Sequence, residues 1–424
     1  MLPTRIVKYL RNRGIQGPWR ITGCPEGGFA GAVVIPALAE SGHLFATLRS
    51  LAENPPGLLS RFLVLVVVNN RKDAPGADKG DNRVTLERLE NGDRAFGGLR
   101  LAWVDAATKG LELPPGTGGV GLARKIGFDL ALTRLDFTGS DPILVALDGD
   151  TLVQPDYLSA LVRHFGDSQA GGAVIPFRHQ PGRTPEESEA IHRYELFLRG
   201  YVLGLSTAGS PYAFHTVGSA MACTASAYAG MGGMNTRVAA EDFYFLQQMK
   251  KTFGVQGVQG TVVHPSSRSS HRVPFGTGRS VSRLLSGEES AVLFYRPECF
   301  SILGRWLSLV EECLDEEGTV IRSRAQGISP HLGEYLDRCR FIEGWEKLRR
   351  NSRGGTALRA AFHAWFDGLR TLKLVHHLSD GPFPRGDSRV LLPPLLESAG
   401  LDPNRDPDAQ LSLLRRIQSA PPPS

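Results

Sequence analysis

Five apolar runs of strand length punctuate the first half of the chain, at 32–36, 62–68, 99–104, 143–147 and 172–176. Between them, segments at 43–53, 119–133 and 155–165 place apolar residues at the three-to-four-residue spacing of amphipathic helices. Runs of Val, Ile and Leu bounded by turn residues read as strands buried on both faces. Their alternation with helices predicts an α/β domain on a mostly parallel sheet. A loop rich in Gly, Asp and Lys is expected at 69–82, and Pro114-Pro115-Gly116 precedes the helix at 119–133.

After residue 176 the pattern changes. Residues 186–205 predict one long helix with Ile191, Tyr194, Leu198, Tyr201 and Leu205 along one side. A small-residue stretch at 215–228 leads into a flexible Gly230–Gly233 loop, and a helix beginning near Ala239 carries Glu241 and Asp242 in its first turn. Residues 258–264 read as a further strand. Past about residue 285 the signals are helical, as at 302–314 and 358–377, with Trp306, Trp345 and Trp365 as expected core. The expected division is an extension at 1–27, an α/β domain at 28–284, a helical region at 285–415 and a disordered tail at 416–424.

Composition narrows the class. A chain of 424 residues exceeds what one core usually supports. Its charge of +5 is mildly basic, but the arginines are scattered and match no nucleic-acid-binding pattern. Five cysteines without a CxxC pair fit reduced thiols better than a disulfide framework or zinc site. Residues 1–14 lack the apolar core of a secretory signal, and no stretch reaches the ~20 apolar residues of a membrane span. The expectation is a soluble, cytoplasmic protein whose basic start forms a solvated helix or touches an anionic membrane.

The fourth apolar run ends in Asp148-Gly149-Asp150. Carboxylates at the carboxyl end of a buried strand lie where open α/β sheets bind ligands, and they offer hard oxygen donors to a divalent cation. The pair equally suits the cap of the following helix. Glu241-Asp242 has the same ambiguity. Acidic residues favour helix N-termini, yet a carboxylate presented there by a glycine-rich loop can act as general base. Arg124 and Lys125, opening the helix at 119–133, suit either a phosphate or solvent. Arg268 and Arg272, in the loop after the 258–264 strand, suit bidentate phosphate binding. His264 is a possible cation ligand beside Asp150, with His271 as the alternative. His376-His377 reads as packing and surface.

In their order along the chain these segments resemble family-2 inverting glycosyltransferases of the GT-A fold. The features carrying the match are Val33-Val34-Ile35-Pro36-Ala37 with Glu40, the 121–127 helix start, Asp148-Gly149-Asp150, Gly232-Gly233 and Glu241-Asp242. The resemblance covers roughly 28–280. It implies a Rossmann-like sheet with helices on both faces, a nucleotide-binding half at about 28–151 and an acceptor half at about 152–284. It further implies that Asp150 is the direct Mg2+ or Mn2+ ligand, with Asp148 facing the ribose or sugar of a nucleotide-sugar and His264 as a third ligand. Pro36, Ala37 and Glu40 would line the nucleotide pocket, Arg124, Arg268 and Arg272 would lie near the diphosphate, and Asp242 would be the base, with Glu241 beside it. The acceptor would be a glycan, a lipid-linked group or a small molecule, and nucleic acid is not an expected partner.

Two departures qualify the match. Asn69-Asn70 stand where the family often has an aspartate pair, and the Gln-x-x-Arg-Trp element of processive synthases is absent, which points to transfer of one or a few sugars. Competing readings are a sugar-phosphate nucleotidyltransferase, disfavoured by Ala37-Leu38-Ala39-Glu40 after the first strand, and a catalytically idle nucleotide-sugar-binding or scaffold protein.

Overall fold

The computed structural model describes residues 2–92, 96, 98–269 and 276–419. They form two compact units, Met1–Arg183 with Thr216–Arg279, and Thr184–His215 with Ser280–Gln418.

The first unit is built on an eight-stranded sheet of order β1-β4-β3-β2-β5-β8-β7-β9. Its strands are β1 (Thr22–Gly23), β2 (Gly31–Ala37), β3 (Phe62–Asn69), β4 (Arg100–Ala106), β5 (Ile143–Ala146), β7 (Gly172–Val174), β8 (Met221–Thr224) and β9 (Val255–Gly257). β6 (Leu152–Val153) and β10 (Val263–His264) pair separately as an antiparallel ribbon. Every residue of β2 and β3 is buried, which explains their unbroken apolar runs. β2 pairs in parallel with β3 and, from Gly31↔Ile143 to Val34↔Ala146, with β5. The chain therefore leaves β2 in one direction and returns on its other side. Such a reversal of strand order opens a crevice at the strands' carboxyl ends. The expected α/β sheet is present, and it is mixed.

Four local expectations change. The segment expected as a loop at 69–82 contains the start of a helix, Gly76–Asn91, which buries only Asn82, Thr85, Leu86 and Leu89. So few buried apolar positions leave little periodic signal. Of the strand expected at 258–264 only Val263–His264 (β10) is extended in a sheet, and β9 precedes it in a different sheet. β8, unanticipated within the small-residue stretch, pairs antiparallel with both β5 and β7.

The fourth change concerns residues 1–27, expected as an extension. Their helix Thr4–Arg13 is docked through buried Ile6 and Tyr9. The Tyr9 hydroxyl donates to Asp129 Oδ1 (2.7 Å) and accepts from Lys125 Nζ (2.7 Å), while Tyr228 also donates to Asp129 Oδ1 (2.7 Å). Lys125 is thereby a structural partner rather than a phosphate ligand. Gly233, at φ +81°, lies so close to Tyr9 that a Cβ would overlap its hydroxyl. The glycine pair expected in a flexible loop instead seats this helix.

The second unit is helical. Pro185–Thr207, capped by Thr184, packs here with the later helices, so the long helix expected inside the acceptor half belongs to a different compact body. Trp306 and Trp345 are fully buried, and the Trp306 ring meets Phe341, Phe362 and Phe366 at centroid distances of 5.1, 5.9 and 5.9 Å. Trp365 is partly buried against the same core. Buried Glu195 accepts from Arg199 (2.9 Å) and Arg415 (2.7 Å), satisfying a charge the core could not otherwise hold.

Candidate active site

The crevice between β2 and β5 gathers the residues singled out above. Pro36 and Ala37 end β2. Glu40 follows, its carbonyl accepting from the amides of His43 (3.0 Å) and Leu44 (2.9 Å) to start the helix Leu44–Ala52. Between them Ala39 takes the left-handed conformation (φ +53°). That turn is held by two residues that carry no local sequence signal. Asn82 Oδ1 accepts from the Ala39 amide (2.9 Å), and Asp81 accepts from the Ser41 amide (2.9 Å). Asn82 also donates to Asn69 O (3.0 Å) and Asn70 Oδ1 (2.8 Å). The Asn69-Asn70 departure thus belongs to a buried amide network that fixes the turn.

Asp148 and Asp150 follow β5, and Thr47 donates to the Gly149 carbonyl between them (3.0 Å). Arg124 lies behind the pair with its side chain 2% exposed. Its guanidinium donates through Nη2 to Asp148 and through Nη1 to Glu241. Burial opposes its charge, yet Asp148 and Glu241 hold its pKa above the usual value. Arg124 is consequently an internal strut, without the open position needed to meet a diphosphate. The strut depends on close backbone approach, since a Cβ on Gly121 would lie 2.5 Å from Arg237 O, and one on Gly218 2.5 Å from Arg124 Nη2.

Glu241 and Asp242 open the helix Glu241–Thr252, as expected, from Ala240 at φ +57°. Asn235 donates to the Glu241 carbonyl (2.8 Å). Glu241 is buried in its pair with Arg124, so its place is structural. Asp242 Oδ1 accepts from the Phe243 amide (2.7 Å). Burial first, and then the neighbouring Glu241 charge, push the Asp242 carboxyl up to about 7.

Arg268 reaches the crevice from the other side. Its Nε donates to Asp150 Oδ2 (2.9 Å), and its Nη2 bonds to Glu40 and pairs with Asp150 (2.8 Å). Gln180, another residue without a sequence signal, donates to Asp150 O (2.9 Å) and His264 O (2.7 Å). It ties the turn after β5 to the β6–β10 ribbon. His264 Nδ1 lies 3.1 Å from Arg178 O. A carbonyl only accepts, so Nδ1 is the protonated nitrogen and Nε2 carries the lone pair in the neutral ring. Arg272 and His271 lie outside the described residues.

The crevice thus holds five carboxylates, Glu40, Asp148, Asp150, Glu241 and Asp242, against the guanidinium groups of Arg124 and Arg268. An excess of hard oxygen donors fits Mg2+ or Mn2+, which take one or two protein carboxylates and complete their shell with phosphate and water. Asp148, Asp150 and His264 do not converge as a three-ligand cluster. Among the described residues, the His, Cys, Asp or Glu triad with donor atoms within 4.8 Å of one another is His331, Glu334 and His377 in the helical unit. There His377 Nε2 lies 3.1 Å from His331 O and is occupied as a donor. His377, expected as packing and surface, therefore has unforeseen polar neighbours.

No family model and no curated protein matches the chain. Among solved structures it is similar to S. aureus TarS 1-349 in complex with UDP-GlcNAc, at 14% identity and TM-score 0.37 over 61% of this chain. That match spans 65% of the TarS chain, just under two thirds of its length. It is also similar to mannosyltransferase PcManGT from Pyrobaculum calidifontis in complex with GDP-Man and Mn2+, at 16% identity and TM-score 0.37 over 98% of this chain and 94% of that one. GalNAc-T7 with UDP, GalNAc and Mn2+ matches at 13% identity and TM-score 0.34 over 57% and 44%. Likenesses this distant leave the functional assignment to the residues themselves.

Proposed function

We propose that the protein is a GT-A-type, nucleotide-sugar-dependent glycosyltransferase that inverts configuration, with Asp242 as general base. The observation that carries this reading is the link between two acidic elements. The carboxylates after β5, at the point of strand-order reversal, are tied by Arg124 to the helix start that bears Asp242. Donor-binding and proton-accepting groups are thereby held in one fixed relation.

In this reading the nucleotide lies along Pro36, Ala37 and Glu40, and Asp148 faces the ribose or sugar. A Mg2+ or Mn2+ ion held by Asp150, with Asp148 and His264 beside it, would supply charge stabilisation to the leaving diphosphate. Asp150 is bonded to Arg268, so that arginine would have to release it for the carboxylate to hold an ion, and would then be available to the diphosphate, with Arg272 further along the chain. Asp242 accepts the acceptor hydroxyl's proton, and its pKa near 7 suits a base at neutral pH. Glu241 is locked onto Arg124 and is poorly placed as a nucleophile. That supports a single displacement over a covalent, retaining route.

Among the described residues no helix is long and apolar enough to cross a membrane. We place the reaction in the cytoplasm, as the sequence leads one to expect. Titration calorimetry with UDP-, GDP- and dTDP-sugars, with and without Mn2+, tests donor binding. Asp242→Asn should bind donor normally and lose transfer. Retained transfer sinks the base assignment, and failure of every donor to bind favours the idle scaffold.

A further inference from the structure

The net charge of this chain is concentrated in one place. Residues 1–25 contain Arg5, Lys8, Arg11, Arg13 and Arg20 and no acidic residue. Five cations equal the whole formal charge of +5, so the rest of the sequence is formally neutral. The structure folds the core of this segment into the helix Thr4–Arg13, seated by Ile6 and Tyr9. Its outward face is formed by Arg5, Val7, Lys8 and Arg11, all exposed. The three cations recur every three residues, which places them along one side of the helix. Among the described residues no carboxylate pairs with any of them. Val7, at the edge of this face beside Arg11, is 49% exposed and is one of few large apolar side chains so presented.

Helix stability accounts for Arg11 in the last turn, where a cation favours the dipole, but not for the rest of this pattern. A cation in the first turn, such as Arg5, opposes the helix dipole, and the helix has no acidic residue in that turn to balance it. Nor is the segment a loose tail, because Tyr9 is held by Lys125 and Asp129 and packed on Gly233. The helix presents a fixed, uncompensated positive face flanked on one side by an apolar side chain. We propose that this face docks the protein on the anionic surface of a lipid bilayer. Charge complementarity selects an anionic partner. Val7 favours a bilayer over nucleic acid, because the interface between headgroups and acyl chains accepts an apolar side chain and a phosphodiester backbone does not. The proposal rests on charge and exposure and is independent of the sugar chemistry proposed above.

Vesicle co-sedimentation of the full chain tests it, without any sugar donor. The protein should pellet with vesicles of equal parts phosphatidylglycerol and phosphatidylcholine, and stay in solution with phosphatidylcholine alone. Binding should weaken as salt shortens the screening length. The triple variant Arg5→Gln, Lys8→Gln, Arg11→Gln should lose about 100-fold in partitioning, and its melting temperature should not change, since these side chains make no buried contact. Val7→Ser should weaken binding by a smaller factor. Equal binding to both vesicle types, undiminished binding of the triple variant, or displacement from vesicles by equimolar duplex DNA would each overturn the proposal. Loss of binding together with a lowered melting temperature would point to unfolding, and Arg5→Lys with Arg11→Lys, which keeps the charge, must then bind as the native protein does.

Discussion

Arg124 and Arg268 each bridge two carboxylates of the α/β unit, and burial makes them different devices. Arg124 is 2% exposed between Asp148 and Glu241, whereas Arg268 is 20% exposed between Asp150 and Glu40. Removing one partner from a buried ion pair strands the other's charge, while a pair that water reaches is nearly balanced by solvation. The same chemistry therefore yields a fixed strut in one place and an exchangeable occupant in the other. A site that must hold its base still while admitting a charged ligand needs one of each.

The largest effect should appear at the residue the strut positions. Asp242→Asn should lower the transfer rate by about 10²- to 10⁴-fold with donor affinity unchanged, as steady-state kinetics and calorimetry together would show. Next, Arg124→Leu should destabilise the fold by about 3–5 kcal/mol in denaturant titrations, since Asp148 and Glu241 lose their shared partner. A variant as stable as the native protein would erase the distinction between the two arginines. Gly218→Ala, which crowds the Arg124 guanidinium, should act in the same direction at about 1–3 kcal/mol.

Arg268→Ala should cost less than Arg124→Leu but, because Glu40 is itself buried, still about 1–3 kcal/mol, and Mn2+ titrated into the donor-free protein should bind more tightly, because Asp150 and Glu40 no longer carry a competing cation. Unchanged Mn2+ affinity would mean that Arg268 does not occupy the ion's position. The pH profile offers the finest resolution. Burial and Glu241 raise the Asp242 pKa to about 7, whereas Arg124 lowers it. Activity should therefore rise with pH through about 7 and level off, and a less cationic residue at position 124 should move that rise upward. The corresponding stability term is full below about pH 4, where the unfolded carboxyl is also protonated, falls as pH rises and is gone by about 7. Asp242→Asn should consequently be the more stable protein above pH 7, by something on the order of 1 kcal/mol, with the two converging in acid.

Much of the α/β framework was legible because β2, β3 and β5 are buried along their length, and burial on both faces writes continuous apolar runs. Asp148, Asp150 and Asp242 could be selected because strand ends and helix starts are local features. What escaped depends on residues far apart in sequence. β8 is short, rich in small residues and specified by its neighbours in the sheet. Asn82 and Gln180 act on backbone groups many residues away and leave no local pattern. Arg124 was visible as a cation at a helix start, but its choice of carboxylates over phosphate follows from burial, which only the fold decides. The Gly232-Gly233 pair shows the converse, since a substrate and a tyrosine ring demand the same missing Cβ.

Ala240, the left-handed residue before Glu241, has a consequence for how firmly that helix start is aimed. Glycine would adopt this conformation without the steric cost of about 1–2 kcal/mol that an alanine bears. Glycine would also populate a wide range of other angles, whereas alanine's left-handed well is narrow. The joint works as a detent, clicking to one angle and making neighbouring angles hard to hold. The carboxylates that follow are thereby held in one direction, at the expense of resistance to unfolding. Drift toward glycine at this position would yield a helix start that is less strained and less narrowly held.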